Sequence, residues 1–292
     1  MAHSLTVAVI QAAFGDDLHD NIARTERLIR EAAALGAQVI LPPELFQGPY
    51  FCVRQEERWF ATAHPWREHP CVTALAPLAA ELDIVLPISI FEREGPHYFN
   101  SLVMVDAGGA PLGLYRKSHI PDGPGYQEKY YFRPGDTGFR VWDTRYGRLG
   151  VGICWDQWYP EAARAMALMG AQALLYPTAI GSEPHDPELD TATPWRRAMQ
   201  GHAVANVIPV AGANRTGFEP WADYPGGGQT FYGSSFVCDH RGDLIAELGR
   251  DEDGVALAAF DLDFLDRHRA AWGFFRDRRP DLYGALVTSR PT

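Results

Sequence analysis

Apolar and polar residues alternate along this chain with two different periods. Short apolar runs rich in β-branched residues predict strands, and apolar residues spaced three or four apart predict helices. The predicted strands cover residues 5–11, 37–41, 84–90, 99–105, 112–115, 149–153, 172–176, 207–213, 235–238, 244–247 and 255–261. The predicted helices cover residues 20–35, 72–82 and 160–169, and a fourth has Thr193 as its N-cap and Pro194 in its first position. This alternation predicts a mixed α/β fold.

Two stretches far apart in the chain have similar sequences. Residues 36–42 read GAQVILP and residues 170–177 read GAQALLYP, so each runs from a helix end through a strand to a proline. The echo is compatible with two similar halves around a shared core, and equally with coincidence between two helix–glycine–strand junctions. No linker separates the stretches, so residues 1–262 are expected to form one domain. Residues 263–292 are then a C-terminal extension that packs on this domain or on a neighbouring subunit.

Three predicted loops are longer than a scaffold needs. They cover residues 118–139, 178–192 and 214–233, and the first and third are rich in aromatic residues. Long loops in a compact domain are usually functional or disordered, and aromatic content favours ordered binding loops.

Composition and charge narrow the class of protein. The 292 residues carry a formal net charge of −11, which argues against nucleic acid as a partner because phosphates would be repelled. No apolar stretch approaches the roughly 18 residues of a membrane span, and no basic region precedes an apolar run at the N-terminus. We therefore expect a cytoplasmic protein with no membrane partner. The histidines and the four cysteines show no metal-ligand spacing such as HExxH or CxxC, so no metal or cofactor is expected.

Cys154 is a candidate nucleophile. It follows the predicted strand 149–153 and precedes a turn that leads to Pro160 and a helix. At a strand-to-helix turn, free N–H groups and the helix dipole favour a thiolate and can stabilise an oxyanion. An isolated cysteine after an apolar strand is more often an inert core thiol, so this position needs support from elsewhere in the chain.

Glu44 and Lys117 supply that support. Glu44 follows the strand 37–41 and two prolines, and Lys117 closes the strand that begins at residue 112. Taken alone, each is more often a solvated surface residue. However, all three residues lie just beyond predicted strand ends, where open α/β sheets build their sites. A thiol, a carboxylate and an ammonium group together suffice for attack on an amide-like carbon.

These three positions lie in recognisable motifs. Residues 41–44 (LPPE), 115–121 (YRKSHIP) and 150–156 (GVGICWD) resemble the three signature regions of the nitrilase superfamily, in the same order. The resemblance runs from the first strand to about Asp261. It implies an α/β fold of four layers, an αββα sandwich with two internally similar halves. It also implies a homo-oligomer built from dimers.

The resemblance also implies a role for each residue. Glu44 is the general base, Lys117 stabilises the oxyanion and Cys154 is the nucleophile. The backbone N–H of Trp155 would be a second oxyanion donor. Glu128, in the loop after Lys117, matches the second, supporting glutamate of the superfamily.

Three further stretches resemble the N-carbamoylputrescine amidase branch of the superfamily: residues 119–132, 154–161 and 178–184. The resemblance implies a small cationic carbamoyl amine as substrate, hydrolysed to putrescine, ammonia and carbon dioxide through a covalent cysteine intermediate. Glu183 matches the amine-binding glutamate of the branch and lies in a segment, 177–194, that has no Lys or Arg. Aromatic residues are candidates to line the apolar stem of the substrate: Trp155, Trp158, Tyr50 and Tyr130.

Two other interpretations stay open at this point. A carbamoyl-β-amino-acid hydrolase or an ω-amidase would need an arginine near the pocket for an acidic tail, and Arg196, Arg197 and Arg215 are possible sources. A catalytically silent binding protein on the same fold is a different class. Such a relative usually lacks part of the triad, whereas this chain has all three residues.

Overall fold

The computed structural model describes residues 3–183 and 185–288. Fourteen strands and five α-helices follow one another in these ranges. The helices are α1 (Leu18–Ala34), α2 (Pro70–Leu82), α3 (Pro160–Leu168), α4 (Ala192–Asn206) and α5 (Leu262–Trp272). The first seven strands are β1 (Ser4–Gln11), β2 (Val39–Leu41), β3 (Leu86–Glu94), β4 (His97–Val105), β5 (Pro111–Arg116), β6 (Val141–Thr144) and β7 (Gly147–Val151). The others are β8 (Ala173–Thr178), β9 (Val210–Asn214), β10 (Thr216–Pro220), β11 (Gly228–Tyr232), β12 (Phe236–Cys238), β13 (Leu244–Glu247) and β14 (Gly254–Asp261).

The strands form two large sheets. One has the order β13-β12-β9-β8-β7-β6, with β7, β8 and β9 parallel. The other consists of β14-β1-β2 and β3-β4-β5, which meet through a parallel bridge between Val39 and Val85. In each sheet, neighbouring parallel strands are joined through helices, as parallel pairing requires.

The packing of these sheets produces four layers. In β1, Val7 and Val9 point into a core shared with β7, β8 and β9 of the other sheet, while Ala8 and Ile10 pack against α1 and α2. This is the period of two that a strand covered on both faces requires. A third cluster, which includes Met199, packs α3 and α4 on the outer face of the second sheet. The layer order is therefore αββα, which confirms the predicted fold class.

Some predicted boundaries are wrong. Helix α4 begins at Ala192 with Thr191 as its N-cap, so Pro194 is its third residue and not its first. The predicted loop 214–233 contains the hairpin β10–β11, and β6 was not predicted. Glycine and proline in β10 and β11 mask a strand pattern that their pairing stabilises, and β6 is only four residues long.

The C-terminal extension begins with α5. Leu262 and Leu265 are buried in the core between the sheets, whereas Trp272 and Leu286 are exposed. Residues 289–292 of the predicted extension lie outside the described residues, and its boundary at residue 262 stays a prediction.

Neither a membrane helix nor a metal cluster is present in the part of the chain that the structure describes. No helix there is long and apolar enough to span a bilayer. No group of three or more His, Cys, Asp or Glu residues in the same ranges is arranged to hold a metal ion.

Candidate active site

Glu44 lies at the end of β2, after Pro42 and Pro43. Its side chain is fully buried, and its backbone N–H donates to the carbonyl of Thr178 in the other sheet. Asn100 in β4 donates from Nδ2 to Oε1 of Glu44 at 2.6 Å. The other oxygen, Oε2, is buried and has no hydrogen-bond partner among the described residues. One carboxylate oxygen is thus held in place, and the other is free to accept a proton.

Lys117 joins two carboxylates in the interior. Its Nζ donates to Oε1 of Glu44 at 2.8 Å and to both oxygens of Glu128, at 2.9 and 2.7 Å. All three side chains are fully buried. Burial alone would lower the pKa of Lys117, but the charges of Glu128 and Glu44 outweigh it and raise the pKa well above its ordinary value. The side chain therefore stays charged.

Asn100 is a site residue that the sequence analysis missed. Besides holding Glu44, it accepts the backbone N–H of Lys117 through its own carbonyl at 2.9 Å, so it aligns both groups. Its only sequence signal is a polar residue in an otherwise apolar strand, and a residue of that kind also occurs at strand edges.

Cys154 begins a short 3-10 helix, Cys154–Trp158, directly after β7. Its backbone has a positive φ of 43°, a conformation that costs a residue with a side chain about 1–3 kcal/mol. The carboxylate of Asp156 stabilises this turn by accepting the N–H of Ile153 at 2.9 Å and the hydroxyl of Tyr115 at 2.7 Å. His119 binds the same carboxylate through Nδ1 at 2.7 Å. The sulfur is therefore presented by a tightly held turn.

Burial opposes the thiolate that the sequence predicts at this turn. It raises the pKa of Cys154 well above its ordinary value; the charge of Glu44 adds to the rise, and that of Lys117 opposes it. A base must therefore take the proton. The charges of Glu44, Lys117 and Glu128 all affect the pKa of Cys154.

Glu128 is held by a chain of polar contacts. Tyr50, which is fully buried, donates its hydroxyl to Oε1 of Glu128 at 2.7 Å. The N–H of Tyr50 donates to Glu219 at 2.6 Å, and Arg215 donates to the same carboxylate at 2.5 Å. Burial raises the pKa of Glu128 to about 7, against the lowering effect of Lys117. The hydroxyl of Tyr50, predicted to line the substrate stem, is thus engaged with Glu128.

Two of the arginines that the rival interpretation could use, Arg215 and Arg196, are bound to other parts of the fold. Arg215 is fully buried and bound to Glu219 and to the carbonyls of Leu45 and Gly48. Arg196 donates to the carbonyl of Ser234 and pairs with Glu247. Both are committed to the scaffold, which weakens the case for a carboxylate-binding pocket built from either.

Two further tyrosines are affected by the charges of both Cys154 and Glu183. Burial raises the pKa of Tyr126 and of Tyr232, and the charges of Glu183 and Cys154 contribute to the rise in both. The ring of Tyr126 lies 5.9 Å from that of Tyr50, and its hydroxyl accepts the N–H of Gly181 at 3.0 Å. The sequence analysis did not assign these two tyrosines to the site, although both fall in the long aromatic loops that it singled out.

The remaining predicted stem residues are less enclosed. Trp155 is 37% exposed, and its ring lies 6.4 Å from that of Trp158. Tyr130 is 36% exposed and packs on Phe60 at 5.7 Å. Glu183 is partly buried, and burial, followed by the charge of Asp186, raises its pKa to about 7.

Comparisons with known proteins show what this chain is similar to. The family model described as carbon–nitrogen hydrolase matches residues 6–270. An N-carbamoylputrescine amidase from Arabidopsis thaliana is 53% identical over 97% of this chain and 95% of that protein. A citrullinase from Francisella tularensis is also 53% identical, over 97% of this chain and 98% of that protein. The crystal structure of a carbon–nitrogen hydrolase from Helicobacter pylori G27 superposes with a TM-score of 0.92 at 36% identity, covering 99% of this chain and 100% of that one.

Proposed function

The chain belongs to the carbon–nitrogen hydrolase family, and on that premise we propose that it hydrolyses N-carbamoylputrescine to putrescine, ammonia and carbon dioxide. The observation that carries the proposal is the buried cluster of Glu44, Lys117 and Glu128, whose charges all act on the thiol of Cys154. Glu183 follows Gly181, whose N–H donates to the hydroxyl of Tyr126, and the charges of Glu183 and Cys154 both raise the pKa of that tyrosine. The buried cluster suits attack on a carbamoyl carbon, and the carboxylate of Glu183 suits an ammonium tail.

The first half-reaction begins with proton transfer from Cys154 to Glu44. The raised pKa of the thiol makes this base necessary, and the free Oε2 of Glu44 is the oxygen available for it. The sulfur then attacks the carbamoyl carbon. Lys117 and the N–H of Trp155 hold the oxygen as it becomes negative. When the tetrahedral intermediate collapses, one C–N bond breaks, and the departing nitrogen takes the proton from Glu44.

The second half-reaction releases the enzyme. Glu44 removes a proton from water, and the hydroxide adds to the carbon of the thiocarbamate. The C–S bond breaks and Cys154 recovers its proton. The carbamic acid that leaves decomposes to carbon dioxide and the second amine. Glu128 does not touch the carbon in this scheme; it positions the ammonium group of Lys117.

Comparing two substrates tests whether the site prefers a cationic or an anionic substrate tail. N-Carbamoylputrescine and N-carbamoyl-β-alanine share the ureido head but carry opposite charges at the tail. We expect kcat/KM for the cationic substrate to be higher by about a hundredfold or more, because a charge-assisted contact contributes about 1.5–3 kcal/mol and the acidic tail is also repelled. A preference for N-carbamoyl-β-alanine contradicts the proposal and favours the rival carbamoyl-β-amino-acid hydrolase.

The contribution of Glu183 predicts a dependence on pH. Its pKa is raised to about 7, so below that pH the carboxyl group is neutral and cannot pair with the ammonium group. N-Butylurea has the same head and stem without the charge, and both compounds use the same catalytic groups. The ratio of kcat/KM for N-carbamoylputrescine to that for N-butylurea should therefore rise as pH increases through about 7. In Glu183→Gln the ratio should be low and flat; a wild-type ratio that does not change with pH excludes this role.

Other sequence predictions belong with this proposal. Assembly into homo-oligomers built from dimers and a cytoplasmic location both stay predictions, as do the roles of Trp155, Trp158 and Tyr130 along the stem.

A further inference from the structure

A short segment, residues 179–183, connects the surroundings of the thiol with Glu183. The carbonyl of Ala179 lies 4.0 Å from the catalytic sulfur. Ile180 is held by Asn214, whose side chain accepts its N–H at 3.0 Å and donates to its carbonyl at 2.9 Å. The two residues between Ile180 and Glu183 therefore decide where the side chain of Glu183 starts.

The middle of this segment pairs with β11. Gly181 forms an antiparallel bridge with Phe231, and the N–H of Ser182 donates to the carbonyl of Thr230 at 2.6 Å. In return, the N–H of Thr230 donates to Oγ of Ser182 at 3.2 Å. A Cβ atom at Gly181 would clash with the carbonyl oxygen of Thr230, so the close approach of the two backbones requires glycine at this position.

Two polar side chains, those of Tyr126 and Gln229, bind the same segment. The hydroxyl of Tyr126 accepts the N–H of Gly181 at 3.0 Å. Gln229, which is fully buried in β11, donates from Nε2 to that hydroxyl at 3.2 Å and also to the carbonyl of Ser182. This carbonyl belongs to the planar peptide bond that joins Ser182 to Glu183. The amide of Gln229 therefore fixes the peptide from which Glu183 extends.

Tyr126 also contacts the catalytic cluster. Its ring lies 5.9 Å from that of Tyr50, whose hydroxyl binds Glu128 at 2.7 Å. After burial, the charge of Glu183 is the largest cause of the raised pKa of Tyr126. One side chain is thus packed on the catalytic cluster, bound to the segment that leads to Glu183 and subject to the charge of Glu183.

We propose that Tyr126 and Gln229 are positioning residues that hold Glu183 at a fixed separation from the thiol and so determine which substrate tail is accepted. In this role each acts through the peptide that leads to Glu183, and not through a contact with substrate. The inference rests on the proposed function, in which Glu183 pairs with the ammonium group. A fixed carboxylate favours a tail of one length, because a charge-assisted hydrogen bond requires a separation of about 2.7–2.9 Å.

The test uses the full chain and three substrates: N-carbamoylputrescine, its homologue N-carbamoylcadaverine with one more methylene group, and uncharged N-butylurea. Tyr126→Phe removes the hydroxyl and keeps the ring against Tyr50. The ratio of kcat/KM for N-carbamoylputrescine to that for N-butylurea should fall about threefold to tenfold, mainly through KM, because a hydrogen bond that holds Glu183 is lost. The preference for N-carbamoylputrescine over N-carbamoylcadaverine should fall in the same variant.

A second variant and a control accompany this measurement. Gln229→Met keeps a side chain of similar length without a donor, and it should lower both ratios as well. The effects of the two substitutions should combine to less than their product, because both act on one segment. Tyr146→Phe is the matched control: its hydroxyl donates to the carbonyl of Asp83 at 2.6 Å, and its loss should leave both ratios at their wild-type values.

Each other outcome has a definite meaning, once circular dichroism has shown that the variants are folded. Equal losses of kcat/KM on the charged and the uncharged substrate assign Tyr126 and Gln229 a structural role and overturn this inference, whereas the proposed function stands. Unchanged ratios in Tyr126→Phe, or a wild type that does not distinguish the two tail lengths, overturn the inference too. Inactivity of wild type on N-carbamoylputrescine overturns the proposed function together with it.

Discussion

Replacing Lys117 by methionine is expected to lower the free energy of unfolding by about 3–5 kcal/mol and to remove measurable turnover. The ammonium group is the only cation that contacts Glu44 and Glu128 in the described part of the chain, and all three side chains are fully buried. Without it, two carboxylates lie in the interior unpaired, and the developing oxyanion loses a donor. Urea unfolding and ammonia release measure the two effects separately.

A double-mutant cycle separates the lost charge from lost packing. In Lys117→Met/Glu128→Gln one of the stranded carboxylates is neutral, so the double variant should be less destabilised than the sum of its two single variants by more than about 1 kcal/mol. Activity should not return, because the oxyanion donor is still missing. Additive effects on stability would show that the ion pairs do not stabilise the fold as described. Lys129→Met, an exposed neighbour of Glu128, is the control and should change neither quantity appreciably.

Replacing Cys154 by alanine should reduce turnover by at least about 10⁴-fold, because no other group can form the covalent intermediate. The unfolding transition should hardly move, since among the described residues the sulfur makes only one polar contact, 4.0 Å from the carbonyl of Ala179. Cys71→Ala, at the start of α2, is the matched control for loss of a buried thiol and should retain activity. Substantial turnover by Cys154→Ala would exclude a cysteine mechanism.

The strands that carry the site were predictable because their signals are local. Apolar periodicity placed Glu44, Lys117 and Cys154 each just after a strand, and the short motifs around them indicated the family. The four-layer fold followed from that family and is confirmed by the packing of helices on the outer faces of both sheets.

The groups that support the site were not predictable, because they act across long separations. The N–H of Tyr50 binds Glu219, 169 residues further on, and Asn100 reaches Glu44 from a different strand. The spacing of apolar residues along the sequence does not predict such contacts. The raised pKa of Cys154 was also missed, because burial is a property of the folded molecule.

The tail end of the site shows the same limit. Glu183 could be singled out because residues 178–184 resemble the amine-binding stretch of the branch and the acidic segment around them has no Lys or Arg. Tyr126 could not, because its hydroxyl meets the N–H of Gly181, 55 positions further on, only through the fold.

Quantitative thiol labelling in the presence and absence of substrate tests most directly whether the sulfur of Cys154 meets the carbamoyl carbon. The protein is treated with limiting iodoacetamide, the modified peptides are identified by mass spectrometry, and ammonia release is followed in the same samples. The account predicts that Cys154 is modified ahead of the three other buried cysteines, because Glu44 can take its proton. Activity should fall in proportion, and N-carbamoylputrescine should slow the modification at concentrations near its KM. Protein with Cys154 fully alkylated that still hydrolyses N-carbamoylputrescine at the wild-type rate would contradict it.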